Sequence, residues 1–342
     1  MSNMNRQWRL MKRPVGEDFD DCLVFGEEPI GTPGDGEILV KNLHISLDPA
    51  NRVWMNEGDS YKAPIPLGGV MEAFAVSRVE ESNNPKFAVG DVLYGFGHWE
   101  DYTVTDGEEW EPAPDIGDAP FSAHLSVFAV IGPTAYVGLL DVCDPQPGET
   151  VVVTIAAGAV GSLTGQIAKI KGCRVIGITG SDEKCKWITE ELGYDAAINY
   201  KTESVFKALK KHCPDGIDCH FEQVGDPKVL DAVLTQLNHY GRISLCGWIA
   251  GYNAIDPLPG PVGLANLVMK RGKMEGFIVL DFPERIAQSR IDMRQWIEEG
   301  RFKYRADVVD DLSNAVKALH TLYDGTNQGK LIVKVQDDPL LD

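Results

Sequence analysis

Two glycines, Gly158 and Gly161, stand three residues apart in the run TVVVTIAAGAVGSLTGQIAKIKG (150–172). A strand-type apolar stretch precedes them and an amphipathic helical pattern follows. A pyrophosphate bound at a helix N-terminus needs backbone N–H groups aimed at it and no side chain in the way. The spacing meets that need, with Ala156 where the usual three-glycine fingerprint starts. Alanine there still permits a tight turn, so strand, turn and helix together predict a dinucleotide site. The next apolar run, CRVIGIT (173–179), decides which dinucleotide. A site for NAD places Asp or Glu about 20 residues past the glycines to hold the ribose 2′-hydroxyl. Here the chain has Gly180 and Ser181, with Lys184 a turn later. Small residues leave room for a 2′-phosphate, a serine hydroxyl donates to it, and a lysine neutralises it. Asp182 and Glu183 fit the first turn of a helix, where acids are favoured. The pattern predicts NADP(H).

A second group of residues can supply a hydrogen bond to a reacting oxygen. Tyr61 lies in the loop-like stretch GDSYKAPIP, and Tyr252 lies in the long connection 249–272. A phenol donates at neutral pH, and its ring can wall an apolar pocket. Trp54 and Trp248 are candidate walls. His44 and His98 have no neighbour at metal-ligand spacing and are expected to be structural. The seven cysteines form no C-x-x-C pair; their odd count and wide spacing predict reduced, mostly buried thiols. Cys246, in RISLCGW, is nearest the expected site, and core packing is its expected role.

A scaffold must position these residues, and the chain's texture changes near Ile131 to supply one. TAYVGLLDVC reads as a helix. Six apolar runs then alternate with helical patterns: TVVVTIA (150–156), CRVIGIT (173–179), AAINY (196–200), IDCHFEQV (217–224), GRISLCGW (241–248) and KMEGFIVL (273–280). Helices fit near 160–171, 182–192, 202–212, 226–239 and 283–299. This alternation predicts an α/β fold with a doubly wound, parallel, six-stranded Rossmann sheet. Before it, EILVKNLHISL, GGVMEAFAVSRV, GDVLYGFG and EDYTVT are short strand-like runs parted by turn signals, which predicts a small β-barrel-type domain. A tail helix near 311–325 and the strand KLIVKV (330–335) are expected to return to that first domain. The expected domains are 1–127 with 303–342, and 128–302.

The chain has 342 residues, enough for two such domains. Its net charge of -19 argues against nucleic acid or an anionic membrane surface as partner. No uninterrupted apolar run approaches the roughly 20 residues that span a bilayer. The N-terminus, MSNMNRQWRLMKRPVGEDFDD, carries charges where a signal peptide needs an apolar core, so a cytoplasmic protein is expected. The run GFIVL is too apolar for a bare sheet edge, which predicts an oligomer.

A dinucleotide domain behind a barrel-type domain resembles the medium-chain dehydrogenase/reductase superfamily, whose N-terminal domain is GroES-like. Zinc members carry a Gly-His-Glu segment. The matching stretch here is LGGVMEAFAVSRV, with Met71 before Glu72, and no cysteine cluster lies between residues 80 and 120. The resemblance implies no metal. The chain is more specifically similar to the zinc-free, NADPH-dependent alkenal/one oxidoreductases: prostaglandin reductases (leukotriene hydroxydehydrogenases), plant alkenal double-bond reductases and bacterial curcumin reductases. The carriers are ISLDPANR (45–52), SYKAPIPLGGVM (60–71), GPTAYVGLL (132–140), AAGAVGSLTGQIAKIKGCRVIGITGSDEK (156–184), INYKT (198–202), GRISLCGWIAGYN (241–253), EGFIVLDF (275–282) and GTNQGKLIVKV (325–335).

The resemblance implies that Lys184 and Tyr200 bind the 2′-phosphate, and that Gly158, Val160 and Gly161 line the pyrophosphate. Thr134, Gly247, Phe277, Val279 and Asn327 would surround the ribose and nicotinamide. Gln223 stands where the family has Asn in D-N-V-G; this chain reads EQVG. Ala50 and Asn51 depart from Asp-Pro-Tyr-Met-Arg, which places an amide instead of an aromatic ring near the substrate mouth. The implied reaction is reduction of the C=C bond of an α,β-unsaturated aldehyde or ketone, with Tyr252 or Tyr61 assisting, in a homodimer. Two other readings stand beside it: a quinone reductase using the same site, and a non-catalytic NADPH-binding regulatory protein.

Overall fold

A computed structural model describes residues 4–58 and 60–337. The chain divides into two units, Met1–Ala129 with Ala306–Asp342, and Val130–Arg305.

The second unit holds six parallel strands: β1 (Thr150–Val153), β2 (Arg174–Thr179), β3 (Ala196–Asn199), β4 (Ile217–Glu222), β5 (Leu237–Leu245) and β6 (Lys273–Gly276). Their order is β3-β2-β1-β4-β5-β6, the doubly wound order. Strand β1 is the unbroken run TVVV and is buried at every position, as a strand covered on both faces must be. Helices α1 (Ala159–Ile170), α2 (Asp182–Glu190), α3 (Val205–His212) and α4 (Pro227–Gln236) make the crossovers. The order reverses between β1 and β4, so their carboxyl ends, at Thr154 and Glu222, flank the switch point where such sheets bind ligands.

All six expected strands form, with the largest differences at β5, β6 and the connection between them. Strand β5 starts at Leu237, four residues before the expected Gly241, and Tyr240 takes a left-handed backbone (φ 64) within it. Strand β6 ends at Gly276, so Phe277–Leu280 leaves the sheet, and Val279–Asp281 closes a single tight helical turn. The connection 249–272 carries two short helices, Ile249–Tyr252 and Ala265–Lys270.

In the first unit the strands Ala306–Asp310, Lys330–Lys334, Ile38–Ser46, Glu72–Ser82, Val92–His98 and Trp110–Pro112 lie side by side in that order, and Tyr102–Thr105 also pairs with Ile38–Ser46. Met4–Leu10 and Leu23–Pro29 form a separate antiparallel ribbon. The tail returns to this unit as expected, through the helix Ala315–Asp324 and Lys330–Lys334. Ala306–Asp310 is an additional strand at the sheet's edge; its mixed apolar and acidic residues (ADVVD) are half-buried or exposed throughout. The core gathers Leu10, Phe19, Ile45, Met71, Trp99 and Leu331.

Residues His124–Cys143 wind into a 20-residue helical stretch apolar enough in composition to cross a membrane, and 78% of it is buried inside the protein, as a core helix is. Ser126, Pro133, Thr134 and Asp141 interrupt the apolar run in sequence, so its length shows only in the fold.

Candidate active site

The glycine turn leaves β1 at Thr154. Its left-handed step falls on Ile155 (φ 47) rather than on a glycine, a costly conformation for a β-branched residue. Ala156 is buried, with its N–H on Ile178 O at 3.0 Å. That explains why the first fingerprint position needs no glycine. The other two do. A Cβ on Gly161 would lie 2.2 Å from Ile155 O, and one on Gly158 would lie 2.5 Å from Ile155 Cγ2. Tyr194 Oη pins the turn from beneath by donating to Gly161 O at 2.6 Å. The first-turn N–H groups of Ala159, Val160 and Gly161 have no acceptor among the described residues. They form a bare helix N-terminus, which fits a pyrophosphate.

Beside it, Gly180 follows β2 and Tyr200 follows β3. A Cβ on Gly180 would sit 3.1–3.3 Å from the Tyr200 ring. Ser181 caps α2, its Oγ accepting from Lys184 N at 3.2 Å. An accepting hydroxyl keeps its proton to donate. Asp182 Oδ1 accepts from Asn199 Nδ2 at 2.6 Å, which ties this acid to β3. Gly180, Ser181, Lys184 and Tyr200 therefore meet at the ends of two adjacent strands, as a 2′-phosphate site requires.

Beyond the switch point, Gln223 folds back on the turn. Its Nε2 donates to Thr154 O at 2.5 Å and its N–H to Thr154 Oγ1 at 2.8 Å. The extra methylene over asparagine is absorbed by this contact. Gly247 packs close to Gln223 O and Tyr252 Oη, 3.2 and 3.5 Å from where a Cβ would be. Tyr252 Oη accepts from Trp248 N at 3.2 Å, and burial raises the phenol's pKa, so it is a protonated donor at neutral pH. Phe277 crowds Gly138, Val279 is buried, and Thr134 Oγ1 donates to Val130 O at 2.7 Å, which leaves it only lone pairs to offer. Burial pushes the Cys246 thiol up to about 12, an inert thiol.

The first unit places its candidates differently from expectation. Asn51 is fully buried in the short helix Pro49–Trp54. Its Oδ1 accepts from Asp48 N at 2.7 Å and its Nδ2 donates to Glu72 O at 2.9 Å. It caps a helix and does not face a pocket. Trp54 is 2% exposed, packed on Phe74 and Phe96, and does not form a wall. Its Nε1 donates to Tyr61 Oη at 3.0 Å. Tyr61 itself is 50% exposed. Lys62, not singled out from the sequence, lies over the Trp54 and Phe96 rings and pairs with Glu72. Asn327 Nδ2 donates to Gly329 O at 3.2 Å.

Sequence reasoning also missed Lys330, which is 1% exposed. Its Nζ donates to Leu47 O and Leu331 O and pairs with Asp48 at 3.0 Å. Burial lowers its pKa against the pull of Asp48. A lysine opening the apolar run KLIVKV was the available signal. Met71 is fully buried, and among the described residues no three His, Cys, Asp or Glu side chains gather where they could hold a metal. His44 and His124 both pack edge-on against Phe121. His98 lies 3.4 Å from Glu100. All seven cysteines are free thiols.

Residues 6–113 match the family described as the N-terminal domain of oxidoreductase, and residues 159–298 match the family described as zinc-binding dehydrogenase. The chain is 41% identical to the NADPH-dependent curcumin reductase of Escherichia coli over 339 residues, 98% of each chain. It is 37% identical to prostaglandin reductase 1 of Bos taurus over 336 residues, 96% of this chain and 98% of that one. The crystal structure of CurA from Vibrio vulnificus in complex with NADPH superposes with a TM-score of 0.91 at 41% identity, covering 97% of this chain and 100% of that one.

Proposed function

We propose a substrate class from one premise: the chain belongs to the NADPH-dependent curcumin, prostaglandin and alkenal reductase group of the medium-chain dehydrogenase/reductase superfamily. It is an NADP-dependent oxidoreductase whose homologues act on C=C bonds. The proposed reaction is reduction of the C=C bond of an α,β-unsaturated aldehyde or ketone at the β-carbon. The observation that carries it is the pairing of a bare helix N-terminus after β1 with a half-buried, protonated phenol, Tyr252, over the Gly247 turn.

When bound, NADPH supplies the hydride. The chain's own residues hold it and manage the charge that develops. The N–H groups of Ala159, Val160 and Gly161 face the pyrophosphate. Ser181 would donate to the 2′-phosphate, Lys184 would neutralise it and Tyr200 would cover it. Gln223, Gly247, Phe277 and Val279 would shape the seat of the ribose and nicotinamide, with Thr134 Oγ1 able to accept there. Negative charge would grow on the substrate carbonyl oxygen as the β-carbon is reduced, and a proton taken up from solvent at the α-carbon would complete the saturated product. A donor aimed at that oxygen stabilises the transition state more than the ground state, and this lowers the barrier. Tyr252 has that role, and a Tyr61→Phe variant tests whether the phenol held by Trp54 matters as well.

The test is NADPH consumption with a linear enal, a cyclic enone, a bulky diaryl enone and a quinone, repeated with Tyr252→Phe and Tyr61→Phe. Enal or enone turnover that falls at least about tenfold in Tyr252→Phe, with NADPH binding intact, supports the reading. Turnover of quinones alone replaces it with a quinone reductase, and binding without any turnover replaces it with a regulatory role.

The same reading makes the protein a homodimer. Strand β6 is the sheet's last strand, with no further pairing among the described residues. Val262, Val268 and Met269, in the connection before it, are 91%, 78% and 69% exposed. A second copy adding its own edge strand would cover both. Size-exclusion chromatography with light scattering tests this, and a monomer at all concentrations refutes it.

A further inference from the structure

One ion pair lies wholly inside the second unit. His220 and Glu222 are both 0% exposed, two residues apart on one face of β4. His220 Nε2 lies 2.6 Å from Glu222 Oε2. His220 Nδ1 lies 3.1 Å from Val152 O. A carbonyl oxygen only accepts, so Nδ1 carries a proton, and one more proton lies between Nε2 and the carboxylate. Burying such a pair is expensive, and an apolar pair of the same volume would often be at least as stable. Stability is a poor reason for its presence, and its connections suggest a better one.

Three turns at the carboxyl edge of the sheet end on this one glutamate. Oε1 accepts from Val224 N at 2.5 Å and Gly225 N at 2.9 Å, which shapes the turn after β4. Thr154 Oγ1, at the base of the glycine turn after β1, shares its one proton between Phe221 O at 3.2 Å and Glu222 Oε1 at 3.3 Å. The backbone oxygen of Glu222 accepts from Cys246 N at 2.8 Å and Gly247 N at 3.3 Å, in the turn after β5. Thr154 Oγ1 in turn accepts from Gln223 N. His220 anchors the other carboxylate oxygen to β1 through Val152. The turns after β1 and β4 flank the switch point, and the turn after β5 is next in line beyond β4.

We propose that the buried His220–Glu222 pair is a positioning device: it sets the spacing of the turns after β1 and β4 and thereby seats the nicotinamide half of the cofactor. This rests on the reading above that Gln223 and Gly247 help to seat the ribose and nicotinamide, with the glycine turn on the pyrophosphate beside them. His220 and Glu222 touch neither cofactor nor substrate; they act through Thr154 and Gln223. Side-chain length, not charge, is the operative property. A glutamate bridges from His220 to the Val224 and Gly225 N–H groups, and an aspartate is one methylene too short to reach both. A glutamine keeps the length, accepts from the same N–H groups and donates to His220 Nε2.

The test compares two ligands by calorimetry. NADPH carries the nicotinamide half; adenosine 2′,5′-bisphosphate carries the adenosine and the 2′-phosphate without it. Glu222→Asp is expected to bind NADPH roughly tenfold more weakly, the worth of one buried charge-assisted hydrogen bond. Its affinity for adenosine 2′,5′-bisphosphate should stay within about twofold of the parent. Glu222→Gln should bind both ligands like the parent. Thr154→Val, an isosteric change that cuts the same network at β1, should repeat the split and decides the matter if Glu222→Asp does not fold. Equal weakening of both ligands overturns the proposal in favour of general destabilisation. A damaging Glu222→Gln beside a harmless Glu222→Asp overturns it in favour of charge. If the parent binds the bisphosphate but not NADPH, the cofactor seat itself has been misread, an outcome separate from either.

Discussion

Replacing Gly180 with aspartate is expected to remove most activity with NADPH and to spare activity with NADH. Gly180 follows the last residue of β2, and a side chain there points at the Tyr200 ring. Tyr200 is 52% exposed, so the ring can swing outward and admit it. The new carboxylate would stand about 5 Å from the seat formed by Ser181 and Lys184, where a unit charge pair costs about 0.8 kcal/mol in water and about 3 kcal/mol at an effective dielectric near 20. A phosphate monoester carries close to two negative charges. The exposed position argues for the low end of that range, about 2 kcal/mol, or roughly thirtyfold in kcat/KM with NADPH. With NADH there is no phosphate to repel, and the carboxylate can accept from the ribose 2′-hydroxyl. Activity with NADH should hold or rise. Initial rates with each cofactor at one saturating enone read the ratio, and a thermal melt confirms the fold. Equal losses with both cofactors, or an unchanged NADPH preference in a folded variant, would refute the placement of the 2′-phosphate.

Gly161→Ala would set a Cβ 2.2 Å from Ile155 O, so the turn must shift; NADPH affinity, followed by fluorescence titration, should fall by at least about tenfold. Lys330→Met leaves the largely buried Asp48 without its partner and should cost about 3–5 kcal/mol in urea unfolding, whereas the double variant with Asp48→Asn should regain most of it. Burial holds His44 and His124 down at about 4 from 6.5. The unfolded chain therefore takes up their protons first as pH falls, and each histidine removes stability at about 1.4 kcal/mol per pH unit between pH 6.5 and 4, with no contribution above that window. Urea unfolding across that range should show the slope, and His124→Leu should reduce it by about half.

How far the sequence could be read depended on the range of the interactions. The Rossmann sheet was legible because its strands are unbroken apolar runs such as TVVV and its turns are built from near neighbours: the glycine turn, the Ser181 cap and the absent acid all lie within one βαβ unit. The ends of β5 and β6 were not legible. Leu237–Tyr240 joins the sheet through pairing with β4, and Phe277 leaves it to pack on Gly138, more than a hundred residues away. The same holds for the first unit. Tyr61 could be picked out as a loop phenol, but Trp54 and Asn51 were misplaced, because what buries them is Phe74, Phe96 and the Glu72 carbonyl on another strand.

The departures from the family pattern are each answered by a neighbour rather than by a ligand. Ala156 is tolerated because Ile155 takes the left-handed step. Asn51 fills a capping position that Asp48 and Glu72 complete, so substrates need not meet an amide at the mouth. Gln223 spends its added length on Thr154 O, and Glu222 spends its own between His220 and two backbone N–H groups. Read singly, each substitution would look like an altered specificity. Read with its contacts, each conserves the geometry of a turn by a different route. It follows that specificity should be sought in groups the turns leave exposed, and Tyr61, which is 50% exposed and held by Trp54, is one such group to test in the first unit.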